Sequence, residues 1–250
     1  MTIFDSRLKE HQRLLEQRRI QTVDLIRGVD IVLMILFNYS VTLSYFRLIN
    51  MPSNFLYLFV FPRAIALIFI FISGVAAHIS FEKNKENFSK KYLKRGGKLL
   101  IFAAFITLFT YIFVPEGTIF FGILHFFSVS SFLVPFFIRY NKLNLIGGLL
   151  IILSGFYLQI TQFDFSYLFW LGFMPKNFST FDYFPLIPWL GVLMLGIYSG
   201  KYFVRRTTDL KFESRFAAAF MFLGKNSLTI YLIHQPVLIF LLIVLGFKIF

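Results

Sequence analysis

From residue 22 onward, long apolar runs alternate with short polar segments. The runs fall at 24–46, 57–81, 98–114, 119–138, 144–161, 185–203 and 227–248. Each approaches the ~20 residues that cross a ~30 Å hydrocarbon core as a helix, the third and fifth being short. The pattern predicts an all-α, multi-pass transmembrane bundle of about seven spans. Ahead of the first run, FDSRLKEHQRLLEQRRI at 4–20 sets Phe4, Leu8, Leu14, Leu15 and Ile20 among charges at loosely helical spacing. That is the signature of an amphipathic helix lying on a membrane interface. Residues 1–22 are therefore read as a cytosolic interfacial helix and 23–250 as the transmembrane domain. Segment 204–223 predicts a second interfacial helix. The loop 162–184, rich in Phe and Tyr and holding Asp164, Trp170, Pro175 and Asp182, reads as an aromatic interface belt or a re-entrant lid. Neither internal repeats nor low-complexity tracts occur.

Composition agrees with the pattern. Of 250 residues, 58% are hydrophobic and 15% charged, and mean hydropathy is +0.73. Soluble domains carry roughly 25% charge. The net charge of +13 would suggest nucleic acid in a soluble protein, but its distribution points elsewhere. Twenty of the 25 Lys and Arg lie in 1–22, 82–98, 139–144 and 201–226. Three lie in the segments that alternate with these, and Arg27 and Arg63 fall inside apolar runs. This asymmetry places the N-terminus and the basic loops in the cytosol, and seven spans then put the C-terminus outside. The basic loops meet anionic headgroups, and nucleic acid is disfavoured as a partner. The first apolar run is too long for a signal-peptide core and reads as an uncleaved anchor.

The absence of cysteine excludes disulfides, thiolate metal sites and a cysteine nucleophile. There is no HExxH, nucleophile elbow or phosphate-binding glycine loop, so no metal is expected. GxxxG is also missing in convincing form, since Gly191 and Gly196 stand five apart.

Polar groups inside spans are costly and mark function by default. Asp24, Arg27 and Asp30 recur every three residues on one helix face. They read either as a charged patch facing a cofactor or as a self-neutralising network. Asp30 lies ~10 Å into its run, too deep to snorkel. Counted along each run, His78 and His234 fall toward the inner side, Asn38 and His125 toward the outer. Arg63 at its span's start can snorkel, and Pro236, two residues after His234, can bend its span. Two clusters result: Asp24, Arg27, Asp30, His78 and His234 inside; Asn38, Arg63, His125 and Asp182 outside.

Five blocks in order then carry a resemblance. They are RIQTVDLIRGVDIVLMILFNY at 19–39, FIFISG at 69–74, GILHFFSVSS at 122–131, DYFPLIPWLGVLMLGIYSGK at 182–201 and LGKNSLTIYLIHQP at 223–236. Together the chain resembles the membrane acyltransferases related to heparan-alpha-glucosaminide N-acetyltransferase, in particular the short prokaryotic members. The resemblance implies acyl transfer from cytosolic acetyl-CoA, or another acyl-CoA as co-substrate, to an acceptor on the far side. It maps the family's charged block to Asp24, Arg27 and Gly28, its N-Y asparagine to Asn38, and further motif positions to His125, Trp189 and His234. The lysosomal enzyme carries its catalytic histidine soon after the N-Y pair, whereas SVTLSYFRLINMPSN here has none.

With this resemblance, the expected function is acyl transfer at the cell membrane to an extracytoplasmic glycan or lipid headgroup. His125 is expected as base and Asn38 as donor to the thioester oxygen. Asp24, Arg27 and His234 are expected on the acyl-CoA side. A transporter or flippase lined by the same polar residues, or an inactive structural membrane protein, are the alternatives. Membrane lipids are partners, and a homodimer stays open.

Overall fold

The computed structural model describes residues 3–52, 54–207 and 214–247. Eight α-helices occupy them: α1 (Ile3–Tyr45), α2 (Phe61–Lys83), α3 (Phe88–Phe113), α4 (Ile123–Phe137), α5 (Asn141–Ile160), α6 (Leu186–Thr207), α7 (Arg215–Lys225) and α8 (Ser227–Val244). A five-residue π-helical turn, Leu56–Val60, leads into α2. Among the described residues there is no strand, only two isolated bridges.

Six helical segments are long and apolar enough to cross a membrane, beginning with Gln21–Tyr45; α4 is a shorter apolar helix. The exteriors agree. In α3 the buried positions are Phe88, Tyr92, Gly96, Leu99 and Ala103, while Ile101, Phe105 and Ile112 are exposed. In α5, Asn144 is fully buried and Phe156 and Ile160 face outward. Large apolar side chains turned outward make a surface suited to hydrocarbon. The chain is an integral membrane protein.

The structure adds three particulars to the pattern of runs. The helix over 4–20 continues without a break into the first span. The fourth run becomes helical only from Ile123, because residues 117–121 pair with the loop before α6: Phe181 N–H donates to Gly117 O and Phe184 N–H to Phe121 O. Within segment 204–223, read as a second interfacial helix, residues 208–213 lie outside the described residues, and α7 packs along α1.

The chain folds as two compact units. The first joins residues 1–72 and 202–250, with α1 packed on α7 and α8. Its closest crossing is made by two glycines. A Cβ on Gly28 would overlap the Phe220 carbonyl, and one on Gly224 would overlap the Asp24 carbonyl. The second unit is residues 73–201. There Gly74 lies against the Leu193 carbonyl and the Gly196 Cα, and Gly191 against the Gly148 carbonyl. Bare backbone lets membrane helices approach closely. The glycine contacts absent as a GxxxG spacing on one helix are supplied between helices.

Candidate functional site

The charged face of α1 lies where α7 crosses it. Asp24 stands within Coulombic reach of Arg27 and Lys225, the lysine ending α7. Asp30, one turn beyond Arg27, is 3% exposed, and no hydrogen-bond donor reaches its Oδ1. The triplet thus divides: Asp24 and Arg27 belong to one electrostatic group, and Asp30 is buried outside it.

Farther along the same unit, α8 brings the HQP block against the N-Y block. His234 is buried at 7% exposure. Its Nδ1 lies 2.7 Å from the Tyr231 carbonyl oxygen. A carbonyl only accepts, so Nδ1 carries the proton and Nε2 holds the lone pair. Asn38 Nδ2 is 3.4 Å from that Nε2, with Met34 Sδ as its second acceptor at 2.7 Å. Tyr39 stacks on the imidazole, centroids 6.2 Å apart, and its hydroxyl donates to the His234 carbonyl at 2.9 Å. Thr42 donates to Gln235 Oε1 at 3.3 Å.

Asn38 and His234 therefore share one site, where sequence depth had set them in opposite clusters. Counting assumed that every span starts at one plane. Instead α7 occupies the level of Asp24 to Gly28 on α1, so α8 starts deeper and its eighth residue meets Asn38.

The second unit holds His125 in a different circumstance. The Gly122 N–H donates to its Nδ1 at 3.3 Å, which leaves the ring proton on Nε2, 3.1 Å from Thr107 Oγ1. Thr107 in turn donates to the Ile119 carbonyl at 2.6 Å. Every direction in this chain is fixed by its two backbone ends, and the imidazole lone pair is spent on the first turn of α4. The Asp182 carboxylate completes that turn by accepting from Ile123 N–H at 2.9 Å. Burial pushes its pKa up to about 6 against the opposing effect of that bond. Neighbouring Tyr183, pushed up to about 12 by burial, donates to the Phe169 carbonyl at 2.7 Å.

The remaining residues take local roles. His78 packs its Cβ over Gly200 of α6. Arg63 folds over the Phe59 ring at 3.3 Å and donates to the Phe59 carbonyl. Trp189 packs on Phe184, centroids 5.2 Å apart. Tyr39, Thr107, Gln235 and Gly224 were not singled out from sequence, although Tyr39, Gln235 and Gly224 stand inside the quoted blocks.

No group of His, Asp and Glu able to hold a metal occurs among the described residues. The family model described as heparan-alpha-glucosaminide N-acetyltransferase, catalytic, matches residues 19–236. Neither a curated protein nor a solved structure matches the chain. The matched stretch runs from the start of the charged block on α1 to the proline after His234, and the chain belongs to the heparan-alpha-glucosaminide N-acetyltransferase catalytic-domain family.

Proposed function

We propose that this protein moves an acyl group, acetyl in the first instance, from a cytosolic acyl-CoA to an amine or hydroxyl of an extracytoplasmic sugar or lipid headgroup at the cell membrane. The observation that carries the reading is the half-buried contact of Asn38 with the buried His234 in a chain of this acetyltransferase family. A membrane span does not carry an asparagine beside a histidine without cost, and such polar pairs mark functional sites. Arg27, with Asp24 and Lys225 around it, is suited to hold a CoA phosphate. The Asn38 amide is suited to donate to the thioester oxygen as negative charge develops there, a role worth about 3 kcal/mol in enzymes that use it.

The test is ligand binding followed by transfer. Purified protein in detergent should be thermally stabilised by acetyl-CoA, and Arg27→Ala should weaken that stabilisation. Radiolabelled acetyl should then appear on a glycan or lipid extract. A protein that neither binds acetyl-CoA nor carries CoA in a native mass spectrum would be the transporter or the inactive membrane protein instead.

A further inference from the structure

The geometry points to His234, and not His125, as the base that takes the acceptor's proton. The assignment rests on the acyl-transfer reading above and concerns which histidine has a lone pair to use. A general base needs an unprotonated nitrogen facing the reacting group. In His125 the unprotonated nitrogen is Nδ1, which already accepts the Gly122 N–H at the head of α4. Its other nitrogen carries the proton and is satisfied by Thr107. Using His125 as a base would break the first turn of its own helix.

His234 is the opposite case. The Tyr231 carbonyl holds the proton on Nδ1 at 2.7 Å, which aims the lone pair of Nε2 at the Asn38 amide. A backbone carbonyl behind a histidine fixes its tautomer and its ring orientation. The contact from Asn38 is long at 3.4 Å, so an acceptor hydroxyl or amine can replace it without breaking a strong bond. The titratable groups facing the ring are Tyr39 from α1 and Tyr231 from its own helix. The charged residue of α7 nearest this stretch, Lys225, acts on Asp24.

The step balances. The acceptor oxygen or nitrogen attacks the thioester carbonyl carbon and gives its proton to His234 Nε2. The new ester or amide bond forms as the carbon–sulfur bond breaks, and the imidazolium returns the proton to the CoA thiolate, releasing CoA as the thiol. Once His234 is protonated, the Asn38 amide can turn its Oδ1 toward Nε2–H and hold the cation between the two proton transfers.

The decisive comparison sets His234→Asn against His125→Gln, reading acetyl-CoA binding by thermal stabilisation and transfer by acetyl release. His234→Asn should bind acetyl-CoA within about twofold of wild type and lose transfer by ~10²–10⁴-fold. His125→Gln should melt earlier yet keep transfer and the acidic limb of its pH profile. Should His234→Asn not fold, Asn38→Asp carries the test. A carboxylate beside Nε2 raises the imidazole pKa, so the acidic limb of residual transfer should move up by about one pH unit or more. Transfer at the wild-type rate in His234→Asn, or an unmoved limb in Asn38→Asp, overturns the assignment while leaving the enzyme. Absence of acetyl-CoA binding by the wild type removes the enzyme and the assignment together.

Discussion

Asp182 caps a helix that begins 59 residues earlier in the chain: its carboxylate accepts the Ile123 N–H at 2.9 Å. An anion at a helix N-terminus is favoured both by the orphan N–H groups and by the helix dipole. The same carboxylate lies over Gly122, where any side chain would collide with it. This explains why glycine opens the GILH block.

The raised pKa of Asp182 fixes the sign of a pH effect. Its folded value of about 6 exceeds the ordinary carboxylate value of ~3.9. The folded state therefore holds the proton more tightly across that interval, and this group's contribution to stability falls as pH rises from about 4 to about 6. Above that window it is constant. Asp182→Asn keeps an acceptor for Ile123 N–H and should flatten the dependence. Melting curves of both proteins between pH 4 and 7, compared as a difference, read it directly; parallel curves would show that Asp182 does not titrate there.

Thr107 is predicted to be a stability residue. Thr107→Val leaves the His125 Nε2–H and the Ile119 carbonyl without their partner, which should cost on the order of 1–3 kcal/mol. Thr107→Ser retains the hydroxyl and should melt close to wild type. Equal melting of the valine and serine variants would show that the chain of bonds contributes nothing.

Glycine substitutions separate close approach from simple helix propensity. Gly28→Ala and Gly224→Ala each push a Cβ into a facing backbone carbonyl, so α7 must lift from α1. Each should lose roughly 1–3 kcal/mol or more. At Gly97 a Cβ meets nothing within 4 Å, and Gly97→Ala should stabilise by up to about 1 kcal/mol. Thermal unfolding in one detergent orders the three; an unchanged Gly224→Ala would mean that the crossing is looser than described.

Orientation is tested with single cysteines in a chain that has none. Lys90→Cys should resist an impermeant thiol reagent in intact cells and react after lysis, whereas Asp164→Cys should react in both. Labelling of position 90 in intact cells would reverse the topology.

The helices were legible because apolar run length sets what can cross a bilayer, although α1 and α3 begin well before their apolar runs, at Ile3 and Phe88. The site was only half legible. Asn38 and His234 could be chosen as polar residues in apolar surroundings, but their meeting depends on where α8 starts, and that is set by the Gly28–Gly224 crossing. A glycine pair 196 residues apart leaves no local periodicity to read. His125 carries a second, local signal. Its position three residues after Gly122 is the spacing of a capping box, a bland local signal outweighed by the chemistry that histidine suggests. Asp182 could not be linked to α4 from sequence at all, since loop pairing supplies the contact.

The division of the chain also orders events during synthesis. Residues 73–201 are contiguous, so their unit can close while the ribosome is still working. The other unit needs α1 from one end and α7 and α8 from the other. Asn38 must therefore wait in the bilayer without His234 until 196 further residues have been translated. A nascent chain arrested before α8 has a finished half and no Asn38–His234 pair. Until α7 and α8 are made, α1 is the segment of such a shortened product left without its packing partners.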